Sequence, residues 1–130
     1  MSRALEVNYL GTIRVTTAFV PLIRRSMHRG IILNVSSGAG SHYYQANYPE
    51  RYPCVSAAYY GSKAALNAYT ISLAKELKES GIRVHSVTPG MTVTKMTETH
   101  GFPAKRPAQE GAEALLPWAT LPRDDNRTGE

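Results

Sequence analysis

The sequence predicts an α/β fold built on a parallel sheet, and three observations carry that prediction. Two short apolar runs, Ile31-Ile32-Leu33-Asn34-Val35-Ser36 and Ile82-Arg83-Val84-His85-Ser86-Val87, read as strands. Between them, residues 58–80 hold Leu66, Tyr69, Leu73 and Leu77 at helical spacing. Strand, helix, strand in that order implies a right-handed crossover and a parallel pair.

The elements follow in order. Residues 4 to about 28 read as a helix, with Leu5, Tyr9, Ile13, Thr17 and Val20 on one stripe. Pro21 is expected to disturb it, and Gly30 to close it. Residues 31–36 form a buried strand. Residues 37–57 read as a loop with Gly38, Gly40, Pro49 and Pro53, rich in Tyr43, Tyr44, Tyr48 and Tyr52. Those tyrosines fit either an ordered surface loop or a wall of a substrate pocket. In the helix of residues 58–80, Ala64, Ala65, Ala68 and Ala74 permit close packing, and Lys75, Glu76, Lys78 and Glu79 form the wet face. Gly81 supplies its stop. The second strand breaks at Pro89-Gly90. Residues 97–107 read as a mobile loop containing Gly101, Pro103 and Pro107. An amphipathic segment from Ala108 to Thr120 follows, interrupted at Pro117, and residues 124–129 are turn-like.

The composition bounds the class. A chain of 130 residues makes one domain at most, and 42% hydrophobic with 19% charged residues is globular rather than disordered. No apolar run approaches the roughly 18 residues of a membrane span. The first residues, Met1-Ser2-Arg3-Ala4-Leu5-Glu6, lack the apolar core of a signal peptide. The single cysteine, Cys54, allows no internal disulfide and fits a reducing, cytoplasmic location. The sequons at Asn34 and Asn126 then read as accidental, the first lying in a buried strand. The net charge of +5 is spread along the chain. Its densest cluster, Arg24, Arg25, His28 and Arg29, sits where cations complement a helix C-terminus. No nucleic-acid-binding motif accompanies it, which argues against such a partner.

The residues that carry chemistry are few. Tyr59 and Lys63 lie four apart near the start of the clearest helix, hence on one face. A phenol is a poor acid or base at neutral pH, and a neighbouring ammonium favours its phenolate. A shift of about 3 units needs roughly 4 kcal/mol of differential stabilisation. So tuned, the phenol can exchange a proton with a carbonyl/alcohol pair. Tyr60, three before Lys63, ranks second. On many ordinary helices such a pair is packing plus a snorkelling lysine. Ser36-Ser37 closes the first strand, where open α/β sheets place ligands. Pro89-Gly90 closes the second, with Thr94 shortly after, and a glycine there allows close backbone approach. Asn8 interrupts an apolar helical stretch and implies a partner, a water or a local kink.

Together, Val7-Asn8-Tyr9-Leu10-Gly11, Ile32-Leu33-Asn34-Val35-Ser36-Ser37, Tyr59-Tyr60-Gly61-Ser62-Lys63 and Pro89-Gly90-Met91-Thr92-Val93-Thr94 resemble the short-chain dehydrogenase/reductase family in order and spacing. The resemblance covers nearly the whole chain. It implies an incomplete Rossmann-type, doubly wound parallel sheet, with residues 1–130 as the C-terminal catalytic part of a single domain. It implies Tyr59 as general acid/base, Lys63 as the cation that tunes it and binds the nicotinamide ribose, and Ser37 as the group orienting the substrate. Asn8 would hold a water in a relay reaching Lys63, and Pro89, Gly90 and Thr94 would line the cofactor. The spacing from Ser37 to Tyr59 and the segment Gln109-Glu110-Gly111-Ala112-Glu113 are similar to the carbonyl-reductase-like branch. That branch implies NADP in preference to NAD, and a ketone, aldehyde or quinone. Members commonly dimerise through the two long helices, so a homodimer is expected.

The sequence also departs from the family. It holds no Gly-x-x-x-Gly-x-Gly turn, the motif that meets the pyrophosphate. The dinucleotide-binding N-terminal half is therefore expected to be absent. Two other readings compete with a dehydrogenase: a non-catalytic remnant acting at most as a dimerisation module, and a sugar-nucleotide epimerase or dehydratase sharing Tyr-x-x-x-Lys. The Pro89-Gly90 turn argues against the latter.

Overall fold

A computed structural model describes residues 2–26, 29–51 and 56–130. His28, Tyr52, Pro53 and Cys54, singled out above, lie outside the described residues. The first helical stretch comprises α1 (Ser2–Leu5), a π-helical turn (Glu6–Leu10) and α2 (Gly11–Arg25). Then come β1 (Ile31–Val35), a 3-10 turn (Gly38–Gly40), α3 (His42–Asn47), α4 (Ala57–Glu76) and a second 3-10 turn (Lys78–Ser80). β2 (Arg83–Val87), α5 (Lys95–Thr99), α6 (Ala108–Glu113) and α7 (Leu116–Ala119) complete the order.

β1 and β2 pair in parallel, Ile31 opposite Arg83 through Val35 opposite Val87. Side chains alternate between the two faces of a sheet. Ile32, Asn34, Val84 and Ser86 therefore share the face that meets α2 and α4, and Arg83 and His85 the other. The core gathers on the first face: Leu73 and Ala74 from α4, Leu77 at its C-cap, Ile82 just before β2 and Val84 within it, with Val20, Ile23, Ile32 and Tyr69 against them. On the second face His85 is fully buried, its ring 5.0 Å from that of Trp118.

Several expectations change at the level of local structure. The disturbance of the first helix falls on Glu6–Leu10, and the helix runs through Pro21 to Arg25. Gly30 does not close it. Ser26 caps the helix in an extended conformation, and Gly30 has no positive φ. Its missing side chain serves packing instead, because a Cβ would stand 2.2 Å from Ile23 Cγ2. Gly81 does take the left-handed conformation, φ 65°, that ends α4 and its 3-10 extension. Ala68 is exposed rather than packed. The stretch 37–57 is less loop-like than its composition, since Ser41 caps α3 by accepting the Tyr44 N–H. The start of 97–107 is likewise taken by α5, where Thr94 and Thr97 form a reciprocal cap.

β2 is buried, whereas β1 is half-buried, with Val35 47% exposed. The reason lies at the edges. Arg83 N–H donates to the Gly30 carbonyl and Ser36 N–H to that of Val87, so even-numbered residues of β1 face β2. Odd-numbered Ile31, Leu33 and Val35 turn their peptide groups away from it. The far edge of β2 is covered by the end of the chain: Gly129 N–H donates to the Val84 carbonyl, Ser86 N–H to that of Glu130, and Val84 N–H to Thr128 Oγ1. The far edge of β1 borders a groove of about 800 Å³ between the first helix and the strand.

Neither ring nitrogen of His85 has a hydrogen-bond partner, and burial lowers its pKa below the usual 6.5. The unfolded chain therefore binds the proton more readily than the folded one. Stability is expected to be full above pH 6.5 and to fall as pH drops through the more acid range. Urea unfolding followed by Trp118, the single tryptophan, should show the midpoint declining below pH 6.5, and His85→Leu should flatten that decline.

Candidate active site

Ser56 begins the site by capping α4, its hydroxyl accepting the Tyr59 N–H at 3.2 Å. Tyr59 then lies in the first turn and Lys63 one turn on. Their face is settled by burial: Tyr60 is 8% exposed and belongs to the interior, while Tyr59 is half-buried. Lys63 Nζ stands 5.9 Å from the Tyr59 ring centroid. The same Nζ donates to the Val35 carbonyl at 2.9 Å, which ties it to the C-terminal end of β1. Burial lowers the Lys63 pKa from its ordinary value. The Tyr59 hydroxyl makes no hydrogen bond among the described residues.

Asn8 reaches this segment from the first helix. The π turn closes with Gly11 N–H donating to the Glu6 carbonyl, and the Thr12 hydroxyl donates to the carbonyl of Asn8 itself. Such turns recur at functional sites because they re-aim one side chain. Here Asn8 Nδ2 donates to Ser62 Oγ at 3.1 Å, and Ser62 Oγ donates to the Tyr59 carbonyl at 2.7 Å. Ser62 is fully buried. Asn8 and Lys63 both line the groove beside β1.

The two serines after β1 separate by chemistry. Ser36 is 7% exposed, and its hydroxyl donates to Asn67 Oδ1 at 2.6 Å. Ser37 is half-buried, and its oxygen accepts the Ala39 N–H at 3.1 Å. That leaves the Ser37 proton available to donate. Ser37 opens onto a second hollow of about 280 Å³, shared with Ser41, Tyr44 and Asn67. Its turn presses on α4: a Cβ at Gly40 would stand 2.7 Å from the Lys63 carbonyl carbon. Gln45 Nε2 holds the turn from the other side by donating to the Ala39 carbonyl.

Pro89, Gly90 and Thr94 lie in the segment leaving β2. Gly90 has φ 75°, a left-handed conformation that favours glycine. Arg106 Nη1 donates to the Pro89 carbonyl at 2.9 Å. The structure thus brings Asn8, Tyr59 and Lys63 together through α4 and joins the Ser37 turn to the same helix, while the Pro89–Thr94 segment stands at the end of the second strand. Ser62, Asn67 and Arg106 are the residues that sequence reasoning missed. Ser62 offered a signal, since it sits between Tyr59 and Lys63. Asn67 and Arg106 act through partners distant in sequence.

A family model described as short chain dehydrogenase matches residues 1–102. An uncharacterised oxidoreductase of Staphylococcus epidermidis is 35% identical over 124 residues, 94% of this chain and 50% of the relative. Human 17-beta-hydroxysteroid dehydrogenase type 2 is 36% identical over 98 residues, 75% of this chain and 22% of that protein. Among solved structures, the carbonyl reductase Sniffer of D. melanogaster has a TM-score of 0.72 at 26% identity, covering 96% of this chain and 50% of Sniffer. A short chain dehydrogenase of Salmonella enterica serovar Typhi has a TM-score of 0.70 at 28% identity, with 96% and 49% covered. The chain therefore spans half the length, or less, of these relatives.

Gly40→Ala should push the serine turn off α4, because the new methyl meets helix backbone rather than a yielding side chain. Overpacking of that kind costs about 1–3 kcal/mol. Urea titration should record the loss, and amide spectra should place the largest shifts at Ser37–Gly40 and Lys63–Asn67.

Proposed function

The chain belongs to the short-chain dehydrogenase family, a family of oxidoreductases, and on that premise we propose that it performs the proton transfer of a nicotinamide-dependent carbonyl/alcohol interconversion. The observation that carries this reading is the Tyr59–Lys63 pair, with the ammonium 5.9 Å from the phenol ring and anchored at the end of β1. The cofactor of this reading is NADP, with NAD as the second choice, and the substrate a ketone, aldehyde or quinone. The likeness to the Sniffer carbonyl reductase supports that branch. Residues 1–130 would then be the catalytic part of one Rossmann-type domain.

The residues present fit the nicotinamide end of such a cofactor. Lys63 has three N–H donors and uses one on Val35, leaving two for ribose hydroxyls. Gly90 supplies a left-handed turn at the strand end, and its missing Cβ leaves room for the Arg106 side chain. Thr94 adds a hydroxyl on the same segment. The nicotinamide, when bound, supplies the hydride.

The chain's own residues supply the rest. Ser37 donates its free hydroxyl proton to the substrate carbonyl oxygen and polarises it. Tyr59 gives its phenolic proton to the alkoxide that forms, or takes one in the reverse direction. The Lys63 ammonium beside the ring stabilises the negative charge that develops on the phenol oxygen. Asn8, through Ser62, holds the Tyr59 turn at a fixed height against the first helix.

A second reading, a non-catalytic module acting by association, is favoured by the exposed Val15, Phe19 and Leu22 on α2, which are 60%, 56% and 56% exposed. Cofactor binding separates the two. In a form of the protein that turns over, Tyr59→Phe should lower carbonyl reduction about 100-fold or more, with NADPH affinity nearly unchanged by calorimetry. Near-normal turnover in that variant would overturn the assignment. The 130-residue chain alone should bind NADPH weakly, since it lacks the glycine turn. Low-micromolar affinity would mean that another site replaces that turn.

A further inference from the structure

Arg106 has no role in the reading above, yet its geometry is specific. It is fixed to the Pro89–Thr94 segment twice. Its main-chain carbonyl accepts the Val93 N–H at 2.8 Å, in a bridge that pairs it with Thr92. Its side chain arches back, and Nη1 donates to the Pro89 carbonyl at 2.9 Å. Gly90 makes room for this, since a Cβ there would stand 3.0 Å from Nη1. Gly111 closes the other side of the same segment: a Cβ on it would meet Thr92 Oγ1 at 2.7 Å.

The guanidinium is therefore held beside the turn, yet it remains exposed. Among the described residues it has no carboxylate partner. A side chain with five donors uses one on a carbonyl and keeps four. The surroundings add to the charge: residues 88–107 hold three cations, Lys95, Lys105 and Arg106, against one carboxylate, Glu98. A planar donor fork with no anion of its own, positioned at a strand-end turn, matches a phosphate group better than a neutral carbonyl compound.

We propose that Arg106 is a cofactor-binding residue that pairs with the phosphate on the nicotinamide ribose. The proposal rests on the reading of Pro89, Gly90 and Thr94 as the nicotinamide-facing segment, and extends it by assigning the anionic part of the ligand. Positive charge at this turn would then contribute phosphate binding from the catalytic part of the domain, independently of a glycine-rich turn. The Pro89 bond pre-sets the fork, so less side-chain freedom is lost on binding.

The test uses the 130-residue chain and two small probes, nicotinamide mononucleotide and nicotinamide riboside, which differ by that one phosphate. Each is titrated into the wild-type chain, Arg106→Ala and Arg106→Lys, with amide and side-chain NMR shifts as the readout. The expected result is about tenfold tighter binding of the mononucleotide by wild type. Arg106→Ala should abolish that preference and leave the riboside affinity unchanged, with Arg106→Lys in between. Added salt should erode the preference in wild type, and the ratio of the two affinities in Arg106→Ala should stay near one at every salt concentration. An unchanged preference in Arg106→Ala overturns the proposal. So does an equal loss of both probes, because Arg106 would then act only by holding the turn. Failure of the underlying cofactor reading looks different: neither probe would shift Tyr59, Lys63 or Gly90 in any of the three proteins, and the proposal would fall with it.

Discussion

A single acceptor, Asn67 Oδ1 on α4, takes hydroxyl protons from Ser36 at the end of β1 and from Ser86 in β2, at 2.6 and 2.7 Å. Much of the site depends on this point. It fixes the rotation of α4 over both strands, one turn beyond Lys63. The burial of Leu66, Leu73 and Leu77 supplies attraction without direction. Hydrogen bonds are directional, and a buried hydroxyl left unpaired costs about 1–3 kcal/mol. Asn34 Nδ2 repeats the device one turn further along, donating to Thr70 Oγ1 at 2.9 Å. The apolar stripe thus supplies the attraction, and the polar contacts select the register. Once α4 is registered, Lys63 stands at the end of β1 with the Tyr59 ring beside it, and Gly40 can bring the Ser37 turn down onto the helix backbone.

What the sequence made legible follows from the range of the interactions involved. Periodicity located both strands and α4, since those patterns are local. Gly81 could be read as a stop because only its own φ is at issue. Asn8 could be read as an anomaly, as an amide amid apolar neighbours must find a partner. That its partner is Ser62, 54 residues away, depends on how two helices meet, and no local pattern encodes it. The same holds for Asn67, whose neighbours in sequence look like ordinary helix. Residue type alone did not separate Ser36 from Ser37, and only the family resemblance singled out Ser37. They alternate across the strand end, so one points at Asn67 and the other into the turn. The short helices α3 and α5 were missed for a different reason. Each is only one or two turns long, held by a capping hydroxyl rather than an apolar stripe, so hydrophobic period carries no signal there.

The two sheet edges differ, and the difference bears on the site. The far edge of β2 is satisfied by Thr128, Gly129 and Glu130, and Arg83 secures that segment by donating to the carbonyls of Pro122 and Asp125. On the other side, the peptide groups of Ile31, Leu33 and Val35 face the groove, whose opposite wall is Val7, Thr12, Val15 and Phe19. Unpaired strand edges readily recruit another strand. The strand side of this groove offers peptide groups, and its helix side mixes Val7, Val15 and Phe19 with Asn8, Thr12 and Thr16. Asn8 and Lys63 line the same groove, so the open edge of β1 and the catalytic candidates share one space.

Lys63 joins these strands of argument. Its ammonium rests on the Val35 carbonyl, one of the edge groups directed away from β2. Burial makes the charge costly, and that carbonyl offsets part of the cost. A lysine whose donors were all taken by protein would be structural. Lys63 has two N–H groups beyond the Val35 bond, in a half-buried position facing the groove and the Tyr59 ring. The Val35 bond therefore acts as a tether: it holds Nζ at the strand end without exhausting its capacity. Shortening the side chain would break the tether and remove the charge from the phenol at once. Neutralising it at constant length would separate the two roles, since a neutral donor can keep the carbonyl bond while losing the electrostatic effect on Tyr59.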